Sequence, residues 1–287
     1  MTAVPRARFL RVDPRPRIAV DCLGVGPVVV FLHGIGGNRQ SWIDQLPVVG
    51  AEFTAIAWDA RGYGDSDDYE GPLNFTDFAN DLCRVLDYFA VDRAHVVGTS
   101  MGGRIALDFN ARYGARVATL TLADTSAGSA KVASAEEVEK FLALRKKPLL
   151  EGKTPRDIAP QIAASLVGPG TGPQVMARLL ESIGKLHTES YVKTLDSVTR
   201  HTAFAPFSDI AVPCLLMVGE HDRIATPDYM ADMAARIAGA KFVMIPGASH
   251  IANMDRAAEF NAALLPFLRQ HRALADSPAT AIISEQA

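Results

Sequence analysis

The segment Val96-Val97-Gly98-Thr99-Ser100-Met101-Gly102-Gly103 joins an apolar, β-branched run to a stretch with helical spacing through a G-x-S-x-G sequence. A serine in that context sits on a tight turn that exposes its hydroxyl, and small neighbours let the strand and helix backbones come close. The helix start offers free N–H groups and a positive dipole end to negative charge developing beside the hydroxyl. A neutral serine is a poor nucleophile, so it needs a base, and the base needs an orienting acid. Gly247-Ala248-Ser249-His250 follows the last predicted strand, which makes His250 the best placed of the seven histidines. Gly219-Glu220-His221-Asp222 follows the strand Cys214 to Val218, putting Asp222 in a neighbouring loop with Glu220 as its near competitor. Asp124 also ends a predicted strand and is a third candidate acid. The alternative is a glycine-rich turn with an idle serine; the joint placement of serine, acid and histidine argues for catalysis.

Acyl transfer also requires donors aimed at a developing oxyanion. Phe31-Leu32-His33-Gly34-Ile35-Gly36-Gly37 reads as a strand running into a glycine-rich loop, and the donors are assigned to the backbone N–H groups of Ile35 and Met101. The loop is not a dinucleotide fingerprint, because G-x-G-x-x-G would need glycine where Arg39 stands. No phosphate-binding G-x-x-x-x-G-K-[ST], H-E-x-x-H or paired Cys/His spacing occurs, so neither a cofactor nor a metal is expected.

The elements that must position these residues are short apolar strands at 28–32, 53–58, 94–97, 117–122, 214–218 and 241–245. Helical spacing appears at 75–90, 101–113, 228–237 and 255–270. Apolar runs that do not alternate with polar residues suit strands buried on both faces, and strand–helix alternation implies an α/β fold with a mostly parallel sheet. Between Asp124 and Pro213 helix patterns appear without a convincing strand. Thr154-Pro155 opens one helix, and Gly168-Pro169-Gly170-Thr171-Gly172-Pro173 separates it from another. Residues 127–207 are read as an inserted helical cap, 1–126 with 208–272 as the core, and 273–287 as a flexible, frayed tail.

Composition narrows the partners. The 287 residues carry 29 Lys and Arg against 32 Asp and Glu, a net charge of −3, which argues against an electrostatic nucleic-acid grip. At 48% hydrophobic and 21% charged the chain is too apolar for intrinsic disorder. Cys22, Cys83 and Cys214 are scattered and odd in number, so they are expected to be reduced and buried. The arginine-rich N-terminus has no continuous apolar stretch for a secretory signal, and no run approaches the ~20 residues that span a bilayer. A cytoplasmic protein with no membrane partner is expected; the oligomeric state is open.

Taken together, the His33 to Gly37 loop, Asp59-Ala60-Arg61-Gly62-Tyr63-Gly64-Asp65-Ser66, the Ser100 elbow, and the Asp222 and His250 loops resemble the α/β-hydrolase superfamily. The likeness spans nearly the whole chain except the cap. It favours Asp222 as the acid, leaves Asp124 as a loop or cap-hinge residue, and makes Asp59 and Arg61 structural. Ser100-Met101-Gly102-Gly103, Leu122-Ala123-Asp124-Thr125-Ser126-Ala127 and Asn253 are similar to 3-oxoadipate enol-lactonases. What this resemblance implies is a cofactor-free serine hydrolase of a small-molecule ester or lactone acting through an acyl-enzyme. The alternatives are a carbon–carbon bond hydrolase of a β-diketone or vinylogous keto acid and a slow-turnover ligand receptor on the same scaffold. Cap residues such as His187, Tyr191, Arg200 and His201 are read as packing or solvated rather than as sites.

Overall fold

The computed structural model describes residues 6–127 and 134–278. In chain order its strands are β1 (Arg8–Val12), β2 (Ile18–Leu23), β3 (Val28–Leu32), β4 (Thr54–Trp58), β5 (Ala94–Thr99), β6 (Val117–Ala123), β7 (Cys214–Gly219) and β8 (Lys241–Ile245). The helices are α1 (Leu46–Gly50), α2 (Thr76–Tyr88), α3 (Met101–Tyr113), α4 (Ala135–Leu150), α5 (Pro155–Leu166), α6 (Pro173–Gly184), α7 (Thr188–Arg200), α8 (Pro227–Ala235), α9 (Ala252–Asp255) and α10 (Ala257–Gln270).

The strands form one eight-stranded sheet in the order β1-β2-β4-β3-β5-β6-β7-β8. The pairs from β4 through β8 are parallel, whereas β1–β2 and β2–β4 are antiparallel. This is the α/β-hydrolase architecture, with the antiparallel pair at one edge. The sequence reading missed β1 and β2. In β1 polar Arg8 and Arg11 interrupt the apolar residues, and in β2 the buried Asp21 does so.

Successive side chains of a strand point to opposite faces, so a sheet covered on both sides needs apolar residues in both phases. Val28, Val30 and Leu32 of β3 join one core with Phe78 and Leu82 of α2, Ile105 of α3 and Met230 of α8. Val29 and Phe31 join the other with Trp42, Leu46 of α1, and Phe260 and Leu264 of α10. The apolar run at 241–245 departs from this rule. β8 is an edge strand, and its Phe242 and Met244 are 38% and 45% exposed. The stretch 255–270 is also not one helix, because Arg256, at φ −133° and ψ 58°, separates α9 from α10.

The described chain between β6 and β7 holds the four α-helices α4–α7 and one turn of 3-10 helix at Phe207–Asp209, and no strand. Residues 128–133, which begin the inserted segment, lie outside the described residues. The frayed tail expected from 273 needs correction. Asp276 accepts from Val28 N–H at 2.9 Å, donates its own N–H to Arg93 O at 2.9 Å, and its carboxylate accepts from Arg93 N–H at 2.8 Å. Residues 279–287 lie outside the described residues. Cys22 and Cys214 are buried and free; Cys83 is free but only half-buried.

Helix α3 lies unusually close to the sheet. A Cβ on Gly102 would stand 2.0 Å from Leu32 O, and one on Gly98 would stand 2.3 Å from the Gly102 carbonyl carbon. Gly102→Ala should therefore cost about 1–3 kcal/mol or more, because the obstructing atoms are backbone. Gly114→Ala, at φ −53° with open space around it, should be neutral or slightly stabilising. In the same urea-unfolding series Phe31→Ala should lose about 3–5 kcal/mol, whereas Phe242→Ala on the exposed edge should lose less than about 1 kcal/mol.

Candidate active site

Parallel strands bring their C-terminal ends to one edge of the sheet, and the loops that leave β3, β5, β6 and β7 meet there. Ser100 is the single residue between β5 and α3. Its backbone lies at φ 51° and ψ −116°, a conformation that L-residues rarely adopt. Three contacts hold it there. Ser100 N–H donates to Ala123 O at 3.0 Å, while its carbonyl accepts from Thr125 Oγ1 at 2.6 Å and from Arg104 N–H at 3.2 Å. The close approach of α3 described above removes the room a relaxed turn would need.

Residues far apart in sequence converge on that hydroxyl. His250 Nε2 lies 2.9 Å from Ser100 Oγ, across 150 residues, and His250 Nδ1 lies 2.8 Å from Asp222 Oδ2. The other carboxylate oxygen of Asp222, Oδ1, accepts from Ile224 N–H at 2.7 Å and Ala225 N–H at 3.0 Å, so the carboxylate is fully engaged. Glu220, the competing acid, turns away and accepts from Gly247 N–H at 2.8 Å. His250 and Asp222 are 5% and 3% exposed. Burial works against a charged imidazole, but the hydrogen bond to Asp222 and the charges of Asp222 and Asp124 outweigh it and raise the affinity of His250 for a proton above the ordinary. With Nδ1–H donating to Asp222, Nε2 is left to accept the serine proton.

The loop after β3 runs beside the serine, and a Cβ on Gly34 would stand 3.1 Å from that of Ser100. His33 fixes this loop. Its Nδ1–H donates to Gly34 O at 2.8 Å and its Nε2 accepts from Ala60 N–H at 3.0 Å, a pairing that requires the neutral ring. Complete burial pushes His33 the same way, lowering its proton affinity. Gly34 O also accepts from Gly37 N–H at 3.0 Å. Ile35 lies within this turn, and Met101 is the first residue of α3, where a backbone N–H has no intrahelical acceptor.

Asp124 lies in the bend directly after β6, where the chain leaves the sheet towards the inserted segment. It is fully buried beneath the serine–histidine–aspartate chain, with Oδ1 accepting from Gly219 N–H at 2.9 Å and Oδ2 from Ala252 N–H at 3.0 Å. The signal for it was an acid placed directly after a fully buried strand. Asp59 and Arg61 have structural partners. Asp59 accepts from Arg39 N–H at 2.7 Å, from its guanidinium and from Asp65 N–H at 2.8 Å, while Arg61 pairs with Asp81 at 2.6 Å and 2.7 Å.

Two of the contacts between the inserted segment and this edge bear on the loops of the site, and neither is marked in the sequence. Ser182 of α6 donates to Gly36 O at 2.9 Å and accepts from Asn38 Nδ2 at 3.0 Å. Thr171 donates to Asp255 at 2.8 Å, and Asp255 in turn accepts from Ser249 N–H at 2.9 Å, next to His250. Part-buried polar pairs of this kind leave no periodic trace in a sequence. Among the described residues there is no cluster of three or more His, Cys, Asp or Glu suited to a metal ion, and no helix is long and apolar enough to cross a membrane.

Comparison with known proteins agrees with the fold. The sequence model of a family described as alpha/beta hydrolase fold matches residues 27–257. The chain is 29% identical over 283 residues to a 2-hydroxy-6-oxononadienedioate/2-hydroxy-6-oxononatrienedioate hydrolase of Klebsiella pneumoniae, covering 93% of this chain and 97% of that protein. It is 24% identical over 245 residues to 3-oxoadipate enol-lactonase 2 of Acinetobacter baylyi, covering 83% and 87%. The crystal structure of the enol-lactonase from Burkholderia xenovorans shares the fold with a TM-score of 0.80 at 24% identity, covering 91% of this chain and all of that one. With most of its length matched, the chain belongs to the alpha/beta hydrolase fold family.

Proposed function

We propose that this hydrolase-family chain is a serine hydrolase that cleaves a carboxylic ester or lactone through an acyl-enzyme, in the manner of an enol-lactonase. The observation that carries the reading is the unbroken chain from Ser100 Oγ to His250 at 2.9 Å and from His250 to Asp222 at 2.8 Å. In this reading His250 takes the Ser100 proton as Oγ attacks the substrate carbonyl, and Asp222 stabilises the resulting imidazolium. The N–H groups of Ile35 and Met101 hold the oxyanion, each worth about 3 kcal/mol of the barrier. The alcohol or enol leaves with the proton from His250. Water, deprotonated by the same ring, then releases the acid and restores the serine. The inserted segment, which bonds the Ile35 loop through Ser182 and, through Thr171, the Asp255 that accepts from Ser249, acts as a cap that excludes bulk water and selects substrate shape. No cofactor takes part.

One observation favours a second reading. The Klebsiella relative, alignable over nearly the full length of both chains, is named for hydrolysis of a 2-hydroxy-6-oxo dienedioate, a vinylogous keto acid whose carbon–carbon bond would be the one cut. Products separate the two readings. An acid plus an alcohol from simple esters supports ester hydrolysis, whereas an acid plus a ketone from β-diketones, with esters inert, supports carbon–carbon cleavage.

Ser100→Ala should lower kcat/KM by about 10⁴-fold or more on a panel of short esters, lactones and β-diketones while leaving the urea midpoint nearly unchanged. A folded Ser100→Ala protein with wild-type turnover would refute the assignment. Since His250 must be neutral to act as base and its proton affinity is raised, kcat/KM should fall as the pH drops through a value above the ordinary imidazole pKa of 6.5. An acid limb below 6.5 in a pH–rate profile would contradict that environment.

A further inference from the structure

The reactive chain accounts for Ser100, His250 and Asp222 but leaves a fourth ionisable side chain beneath them. Asp124 has no solvent exposure and adopts a left-handed φ of 45°, and its own N–H is tied to Met217 O of β7 at 2.9 Å. Its two carboxylate oxygens go to two different loops. Oδ1 accepts from Gly219, three residues before Asp222, and Oδ2 accepts from Ala252, two residues after His250. One buried side chain thus sets the spacing between the loop that carries the acid and the loop that carries the base.

We propose that Asp124 is a positioning residue for the same reaction: its ionised carboxylate clamps the acid and histidine loops together and puts a second negative charge near His250. This inference rests on the reading of Ser100, His250 and Asp222 as the reacting set. Both partners of Asp124 are N–H donors, so both oxygens must accept, which only the carboxylate form does; a protonated oxygen would turn an O–H towards an N–H. The ionisable groups facing it are His250, from the loop before α9, and Asp222, from the loop after β7. Burial raises Asp124 to about 7, helped by Asp222 and opposed by His250 and by the two N–H bonds. The clamp is accordingly closed above neutrality and loosens as the pH falls through that value. Asp222 differs in kind: it touches the histidine ring directly, whereas Asp124 acts through backbone and charge.

The test follows covalent labelling of Ser100 by a fluorophosphonate as a function of pH in the wild-type protein, Asp124→Asn and Ser100→Ala. In Asp124→Asn the plateau labelling rate should fall about 10- to 100-fold because the loops are no longer held in register. Its acid limb should also move to lower pH by about one unit, because a negative charge near His250 is gone. A reduced rate with the limb unmoved, or a rate equal to wild type, would overturn the inference while leaving Ser100 labelling intact. Wild-type protein that shows no Ser100-dependent labelling would instead overturn the hydrolase reading, and this inference with it. If Asp124→Asn does not fold, the wild-type protein supplies the measurement by infrared spectroscopy. A band of a buried, protonated carboxyl should be absent at about pH 9 and grow in only as the pH falls through about 7; its presence at about pH 9 would mean a neutral Asp124 and overturn the proposal.

Discussion

The backbone of Ser100 is held in a conformation that an L-residue normally avoids, and the surrounding architecture exists in large part to hold it there. A strained non-glycine residue costs about 1–3 kcal/mol and persists only where neighbours over-determine it. Here β6 anchors its N–H, Thr125 and the first turn of α3 engage its carbonyl, and α3 is pressed against β3 at Gly102. That contact depends on a sheet buried on both faces, with Val28, Val30 and Leu32 in one core and Val29 and Phe31 in the other. The placement of the Ser100 hydroxyl at the elbow is therefore a property of the whole sheet.

Electrostatics divides the buried carboxylates by environment. Asp222 is satisfied by two backbone N–H groups on one oxygen and by the imidazole on the other. Asp124 has one backbone donor per oxygen, and its complete burial raises its proton affinity to about 7. The same chemical group thus meets one environment at the ring and another between the loops. His33 completes the pattern: burial keeps it neutral, and it orders the loop of Ile35 without entering the proton path.

Much of this was legible beforehand. The six parallel strands were readable because each is a short apolar run, and serine, acid and histidine could be ordered because each follows such a run. The hairpin β1–β2 was not readable, since an antiparallel edge mixes arginines and an aspartate into its apolar residues. The exposed face of β8 was misread because an apolar run does not say whether anything covers it. The role of Asp124 was invisible for a different reason. Its partners are backbone N–H groups, which every residue but proline possesses, so only the folded loops reveal which ones it meets.

Asp276 stitches the C-terminal segment to Val28 and Arg93, at the ends of β3 and β5 where those strands begin. The serine edge lies a strand length away, about 17 Å, on the other side of the sheet. A fusion partner or surface tether joined directly after the stitched segment would start at the end of the sheet remote from Ser100. Immobilising the chain through that end would present the reactive edge to solution.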